Sequence, residues 1–505
     1  MHGKSSNQLF QGHSKCFPSA LKMRPKIWRN HAGRPWSGPV DASPQVACHI
    51  QTAPSTSMQA IEAVARHGAE RSSGYAVVRR CDRPVAASRE ARRMLDLVHG
   101  ESSMGYNFDR SISRRDTNAI AEEGFANYLF GADAPALALE MPREELISMW
   151  VADMQFAAPD AAIDAITERL KHPIFGYTAD LDEQLYQAFH SWCSQRYGWH
   201  FAREEMQVSL GVIPALFALV EYVCQPGDKV LGLTPAYGYF KHAAKQRGRE
   251  FVTSRMLTSD DGEYTIDFDD FEAKVSDPAV KLFFLCHPHN PTGRIWTNDE
   301  LRRMGELCIA NGVKIVSDEI HCDLLRTGKA HTPLAKLFQG SLDIITCMAV
   351  SKTFNLAGMM IATVIIPDPE LRSEWKRRHY PFVNPLSLAA AIGAYRNGAP
   401  WLDALRLYLD ENFALTQRFL GDHLPAAKFH VPEATYLAWI DLRTYFDDSV
   451  NLTRFFLEKA GVILEGGEMF VENGDRRVRL NLACPRAQLQ LSLERIRDAI
   501  LNQYR

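Results

Sequence analysis

Thr346-Cys-Met-Ala-Val-Ser-Lys352-Thr-Phe-Asn-Leu-Ala-Gly-Met359 is the stretch on which the reading of this chain turns. The apolar run Leu342 to Ala349 reads as a buried strand, and it delivers a single lysine, Lys352, into a turn flanked by Ser351, Thr353 and Asn355. A lysine in that position is either a surface ammonium or a chemical tool. The apolar approach and the small residues Ala357 and Gly358 favour the second reading, because desolvation lowers an amine's proton affinity and makes it a usable nucleophile.

Upstream of this stretch the chain alternates in the rhythm of an open, mostly parallel α/β sheet. Lys229 to Leu233 is a strand ending at Thr234-Pro-Ala-Tyr237-Gly, followed by a helix from Tyr239 to Arg247. Lys281 to Cys286 is a strand ending at His287-Pro-His289-Asn290-Pro-Thr-Gly293, followed by a helix from Asn298 to Asn311. Val313 to Ser317 is a strand ending at Asp318-Glu-Ile-His321, and Ala362 to Ile366 adds one more. Each polar cluster falls at the carboxyl end of its strand, where open α/β sheets bind ligands. Further upstream, Val208-Ser-Leu-Gly211-Val212-Ile213-Pro214 is a short strand running into a helix that starts near Pro214, and the free amides of such a first turn form an anion site. A helix from Leu181 to Tyr197 precedes it. Beyond about Pro385 the pattern changes to long helices, 386–396 and 401–424, short strands around 436–442 and 478–481, and a closing helix, 486–503, as in an α+β domain packed on the first.

Composition bounds the function classes. The chain has 505 residues, nearly half of them apolar, and a formal net charge of -3, which gives no general attraction to nucleic acid or anionic membrane. No apolar run approaches the roughly 18 residues of a membrane span. The ten cysteines are scattered without CxxC pairs, which reads as reduced thiols in a soluble, cytoplasmic protein. His287 and His289 with no clustered carboxylate are a weak metal pattern, and no metal is expected. The first hundred residues differ from the rest. No acidic residue precedes Asp41, whereas Lys4, Lys15, Lys22, Arg24, Lys26, Arg29 and Arg34 do. Three readings stay open there: a disordered or spurious extension with Met104 as a candidate start, a targeting peptide, and a basic arm.

Asp318, Asn290, Tyr237 and Lys352 converge on one strand-end site, the set that pyridoxal phosphate chemistry calls for. Here the sequence resembles the fold-type I pyridoxal phosphate enzymes of the class I/II aminotransferase group, and within them the MalY/PatB-type cystathionine β-lyases. The likeness rests on Met149-Trp-Val-Ala152-Asp-Met, Ile174-Phe-Gly-Tyr177-Thr, Gly211-Val-Ile-Pro, Thr234-Pro-Ala-Tyr, His289-Asn-Pro-Thr-Gly, Ser317-Asp-Glu-Ile-His, Ser351-Lys-Thr-Phe-Asn-Leu-Ala-Gly and Arg479-Leu-Asn-Leu-Ala-Cys-Pro-Arg486, in the family's order over about residues 105 to 503.

The resemblance implies an α/β large domain with a smaller α+β domain: an extension at 1–103, a segment 104–150 joining the small domain, a large cofactor domain 151–384 and a small domain 385–505. It makes Lys352 the Schiff-base lysine and Asp318 the partner of the pyridine nitrogen. Asn290 would donate to the phenolic oxygen, with the Asn290–Pro291 bond a candidate for the cis form. Tyr237 would stack on the ring, and the amides of Val212 and Ile213 with the Ser351 hydroxyl would hold the phosphate. Tyr177 would reach the neighbouring subunit's phosphate, which implies a homodimer with shared sites. His321 would lie beside the cofactor, and Arg479, with Asn290 and Ala152, would take the substrate's α-carboxylate.

Plainer roles stand beside these. Asp318 could cap a helix, His321 could cap or pack, Tyr237 could be a core residue, Tyr177 could be buried in its own subunit, and Arg479 could pair with a carboxylate such as Glu468. The sequence also departs from the broad aminotransferase pattern. Ala349 and Met359-Met360 stand where a serine and an arginine bind the phosphate, a loss the lyase branch shares, and Gln155 replaces a carboxylate of the family's Asp-Met-Asp-Phe. The implied activity is β-elimination of a thiol from cystathionine or a related cysteine S-conjugate, giving pyruvate and ammonia. The alternatives are transamination between an amino acid and a 2-oxo acid, and a cofactor-binding regulator, although no DNA-binding domain is visible.

Overall fold

The computed structural model describes residues 105–503 except 180, 181, 260 and 381, so the three readings of the N-terminal extension lie outside the described residues. Seven strands form the central sheet, in the order Met206–Ser209, Ala362–Ile365, Ile344–Met348, Lys314–Asp318, Val280–Cys286, Lys229–Thr234, Glu250–Arg255. All contacts from Ile344–Met348 outward to Glu250–Arg255 are parallel, and Ala362–Ile365 alone runs against both of its neighbours. Strands in such a sheet read as continuous apolar runs because helices cover both faces. Leu282, Phe284 and Cys286 face a core shared with the helices Val212–Val223 and Gly238–Gln246, while Phe283 and Leu285 face the opposite core with Met304 and Cys308 of the helix Asn298–Ala310.

Local chemistry sets the helix limits. Asp182 caps the helix Glu183–Tyr197 by accepting the Leu185 amide at 2.9 Å, and Gly198, at φ 58°, ends it. Thr297 and Glu300 form a reciprocal capping box on Asn298–Ala310. One expectation moves by two residues: the helix read as starting near Pro214 begins at Val212. Another changes type, because Lys352 sits on a short helix, Val350–Thr353, and not in an open turn.

The C-terminal part carries the helices Pro385–Asn397, Ala399–His423 and Arg486–Asn502 and a three-stranded antiparallel sheet of Leu437–Asp441, Arg477–Asn481 and Glu465–Gly466. The N-terminal strand Ile147–Ser148 pairs in parallel with Val462–Ile463. Helix Pro385–Asn397 crosses Asp160–Leu170 so closely that a Cβ on Gly393 would fall 2.5 Å from the Ala161 carbonyl oxygen. The seven described cysteines are buried and unpaired. Among the described residues no helix is long and apolar enough to cross a membrane.

Candidate active site

Strand register assembles the site. Asp318 lies opposite Cys347 on one side and opposite Cys286 on the other, so the strands that lead to Lys352 and Asn290 flank it in step. Lys352 Nζ donates to the carbonyl of Ala152 at 2.6 Å. Burial pushes its pKa down to about 8, against the pull of nearby Asp153. Tyr436 Oη donates to the same Ala152 carbonyl at 2.7 Å.

The loop bearing Ala152 is pinned from several directions. Asn355 exchanges hydrogen bonds with Met154 and donates to the Phe156 carbonyl, and Asn481 Nδ2 reaches the carbonyls of Val151 and Asp153, both at 2.6 Å. Arg114 forks onto Asp153 at 2.7 and 2.8 Å. Behind the lysine, buried Asp323 accepts from Thr353 Oγ1 at 2.9 Å, from Trp192 Nε1 and from the Tyr197 hydroxyl, which fastens the short lysine helix to Glu183–Tyr197.

Asp318 is buried, its Oδ1 taking the Ile320 amide at 3.2 Å, and burial raises its pKa to about 7. A carboxylate so placed is stabilised by a cation or an N–H partner. His321 is also buried, its Nδ1 has no hydrogen-bond partner, and burial together with Lys352 and Arg479 holds its ring neutral, with the pKa lowered to about 3. Asn290 accepts from Arg479 Nη1 at 3.2 Å through its Oδ1, which leaves its Nδ2 as a donor, and the Asn290–Pro291 bond is cis.

Tyr237 immediately precedes helix Gly238–Gln246, and its ring lies 5.4 Å from that of Tyr239. Burial pushes its phenol up. Helix Val212–Val223 starts after Gly211, which offers no side-chain cap, so the amides of Val212 and Ile213 are free for an anion. Ser351 shares the lysine's helix.

The plain readings fare unevenly. Tyr177 is not buried in its own subunit: it is 87% exposed and lies 5.1 Å from the Phe382 ring, away from Lys352's hydrogen-bonded shell. Arg479 does pair with a carboxylate, but Glu465 rather than Glu468, because Glu465 is its cross-strand neighbour while Glu468 accepts the Thr453 amide. Arg479 Nη2 also donates to the Trp150 carbonyl at 3.1 Å. His287 and His289 turn to separate partners, the Thr332 carbonyl and Thr292 Oγ1. A hollow of about 230 Å³ between Arg114, Asp153, Gln155, Asn355 and Gly358 adjoins the pinned loop. A larger one, about 800 Å³, between Glu221, Arg249, Lys314 and Asp368, lies at the amino end of the sheet, far from this chemistry.

Sequence reasoning missed Tyr436, Asn481, Asp153, Asp323 and Glu465. Asn481 stood two residues from Arg479 in the quoted motif and was within reach of the reading. Asp153 likewise stood beside Ala152 in a quoted motif, whereas Tyr436, Asp323 and Glu465 are brought in by packing over more than a hundred residues or by pairing across strands, for which one sequence carries no sign.

The model of the aminotransferase class I and II family matches residues 144–496. The chain belongs to that family. Within it, cystathionine beta-lyase PatB of Bacillus subtilis is 40% identical over 399 residues, 78% of this chain and 100% of PatB. Protein MalY of Escherichia coli is 32% identical over 361 residues, 70% of this chain and 92% of MalY. Among solved structures, the PLP-bound C-S lyase of Staphylococcus hominis complexed with the inhibitor L-cycloserine superposes with a TM-score of 0.76 at 44% identity, covering 79% of this chain and 99% of that one. The α/β architecture is the family's fold type I, with its large, mostly parallel sheet. The site residues present suit pyridoxal phosphate: an enclosed amine, a buried carboxylate in need of an N–H partner, and uncapped helix amides for a phosphate.

Proposed function

We propose that this chain is a pyridoxal-phosphate-dependent carbon-sulfur β-lyase that converts cystathionine or a related cysteine S-conjugate to a thiol, pyruvate and ammonia. The observation that carries the reading is the register that sets Lys352 and Asn290 on either side of a buried Asp318, in a chain whose relatives are named cystathionine beta-lyase and C-S lyase. Lys352 would hold the cofactor, Asp318 would pair with its pyridine nitrogen, and Asn290 Nδ2 would donate to its phenolic oxygen. Tyr237 would pack against its ring. The amides of Val212 and Ile213 with the Ser351 hydroxyl take the phosphate, with Tyr177 of the partner subunit as a further donor in a homodimer. Pyridoxal phosphate, when bound, supplies the electron sink that stabilises negative charge at the substrate's Cα.

The chain's own groups do the rest. Arg479 takes the α-carboxylate and fixes which bond at Cα faces Lys352. The Lys352 amine, its pKa lowered to about 8, takes the Cα proton in its unprotonated form, and the Ala152 carbonyl, itself held by the Tyr436 hydroxyl, aims it. His321 lies buried beside this shell as a neutral ring, its Nδ1 unpartnered and its centroid 6.3 Å from that of the Tyr436 ring. The thiolate leaves from Cβ, and the three-carbon remainder is hydrolysed to pyruvate and ammonia. Buried, unpaired cysteines suit a reducing compartment, and we place the enzyme in the cytoplasm.

The test is to incubate the purified holoenzyme with L-cystathionine and no 2-oxo acid. Pyruvate and thiol released in molar excess over enzyme are expected. Turnover that appears only when a 2-oxo acid is added would make the chain a transaminase instead.

A further inference from the structure

Arg479 already has a carboxylate on it. Glu465 and Arg479 are directly opposite in the antiparallel pairing of Glu465–Gly466 with Arg477–Asn481, so the sheet holds their side chains together whether or not a ligand is present. The ion pair is enclosed, with side-chain exposures of 3% for Arg479 and 13% for Glu465. The guanidinium's Nη1 goes to Asn290 and its Nη2 to the Trp150 carbonyl, while its Nε, also buried, has no partner.

A second carboxylate entering here meets a cation that is already neutralised. Two anions on one buried guanidinium are costly, because desolvation removes the water that would screen them. The other groups facing Glu465 are Lys352, which opposes a raised proton affinity, Glu468, which favours it, and the phenols of Tyr128 and Tyr237.

Building on the assignment of Arg479 to the substrate's carboxylate, we propose that Glu465 is the resident occupant of that site, and that a ligand carboxylate takes its place on Arg479 while Glu465 takes up one proton from solvent. Glu465 is then a positioning residue that tunes carboxylate affinity and couples it to pH. Its pair keeps Arg479 aligned toward Asn290 in the ligand-free state, and ligand affinity weakens as pH rises, by up to about tenfold per unit.

Propionate is a suitable probe, since it has a carboxylate but no amine to engage the cofactor. Calorimetric titration of the wild-type holoenzyme with propionate at about pH 8, in buffers of different ionisation enthalpy, should show about one proton taken up per propionate bound. E465Q should bind propionate roughly tenfold more tightly at that pH, with no proton uptake. E465D, which keeps the charge, should retain the uptake. A proton-neutral wild-type titration overturns the proposal, and it does so without any variant having to fold. If R479Q abolishes propionate binding alongside that neutral titration, the role of Arg479 stands and only that of Glu465 falls. Binding that survives R479Q overturns both.

Discussion

Lys352 and Asp318 are ionisable groups whose surroundings disfavour their charged forms, and each therefore ties function to stability with a definite sign. The amine's pKa is lowered from 10.5 to about 8, so the unfolded chain binds more protons between those values, and the cofactor-free protein gains stability as pH rises through that window. Replacing Lys352 by Met removes this gain. Between about pH 8 and about pH 10 the melting temperature of cofactor-free wild type should rise relative to that of the variant, while the variant loses lyase turnover by roughly a thousandfold or more. Asp318 has the opposite sign. Its pKa is raised from 3.8 to about 7, so the cofactor-free protein loses stability as pH climbs through that range. Asp318→Asn should therefore melt higher than wild type without cofactor at about pH 8, match it near pH 4, and bind pyridoxal phosphate more weakly by about two orders of magnitude in an equilibrium titration. Equal melting at pH 8 would mean that Asp318 is already paired in the empty protein.

Elements deliver these groups through their ends. The first turn of Val212–Val223 has free amides and no side-chain cap, and proline is tolerated at a first helical position while lacking the N–H. Val212→Pro should keep the helix, and with it far-ultraviolet circular dichroism, yet weaken cofactor binding by roughly tenfold through one lost phosphate donor. Gly393 marks a contact of another kind. Its helix approaches Ala161 and Ala165 so closely that any Cβ would meet the Ala161 carbonyl oxygen at 2.5 Å. Gly393→Ala should destabilise the protein by about 2 kcal/mol in chemical denaturation, because overpacking here pushes on backbone and not on the tip of a flexible side chain. The element readings that shifted did so for identifiable reasons. Pro214 suggested a helix start, but proline fits anywhere in the first turn, and Val212 is where helical geometry begins. The residue after an apolar strand looked like a turn, but Asp323 holding Thr353 gives the lysine segment one helical turn of its own.

At the scale of the whole molecule, Tyr177 is a large aromatic with 87% of its surface exposed beside half-exposed Phe175 and Phe382, which suits a face covered by a second copy. If Tyr177 serves the partner subunit's site, the inactive Lys352→Ala protein and the impaired Tyr177→Ala protein should complement when unfolded together and refolded as a mixture, exceeding the mean of the two refolded separately. Random pairing gives about a quarter of wild-type lyase activity, since half the dimers are mixed and each of those has one intact site. No recovery would put Tyr177 outside the shared site.

The alternating apolar and polar segments determined the α/β class, and the strand-end motifs pointed to the residues proposed to carry chemistry, because both follow from local spacing: buried strands must be apolar, and ligands bind where parallel strands end. Lys352, Asp318, Asn290 and Tyr237 could be singled out as the proposed site for that reason. The tertiary structure alone decided the order of the strands, hence that Asp318 stands between the lysine and asparagine strands. It also decided that Tyr436 and Ala152, 284 residues apart, meet at the lysine amine. Arg479 shows the division within one side chain. Its presence in the motif promised a carboxylate site, but cross-strand register set Glu465 opposite it, and register depends on how two distant segments pair, which neither segment encodes alone.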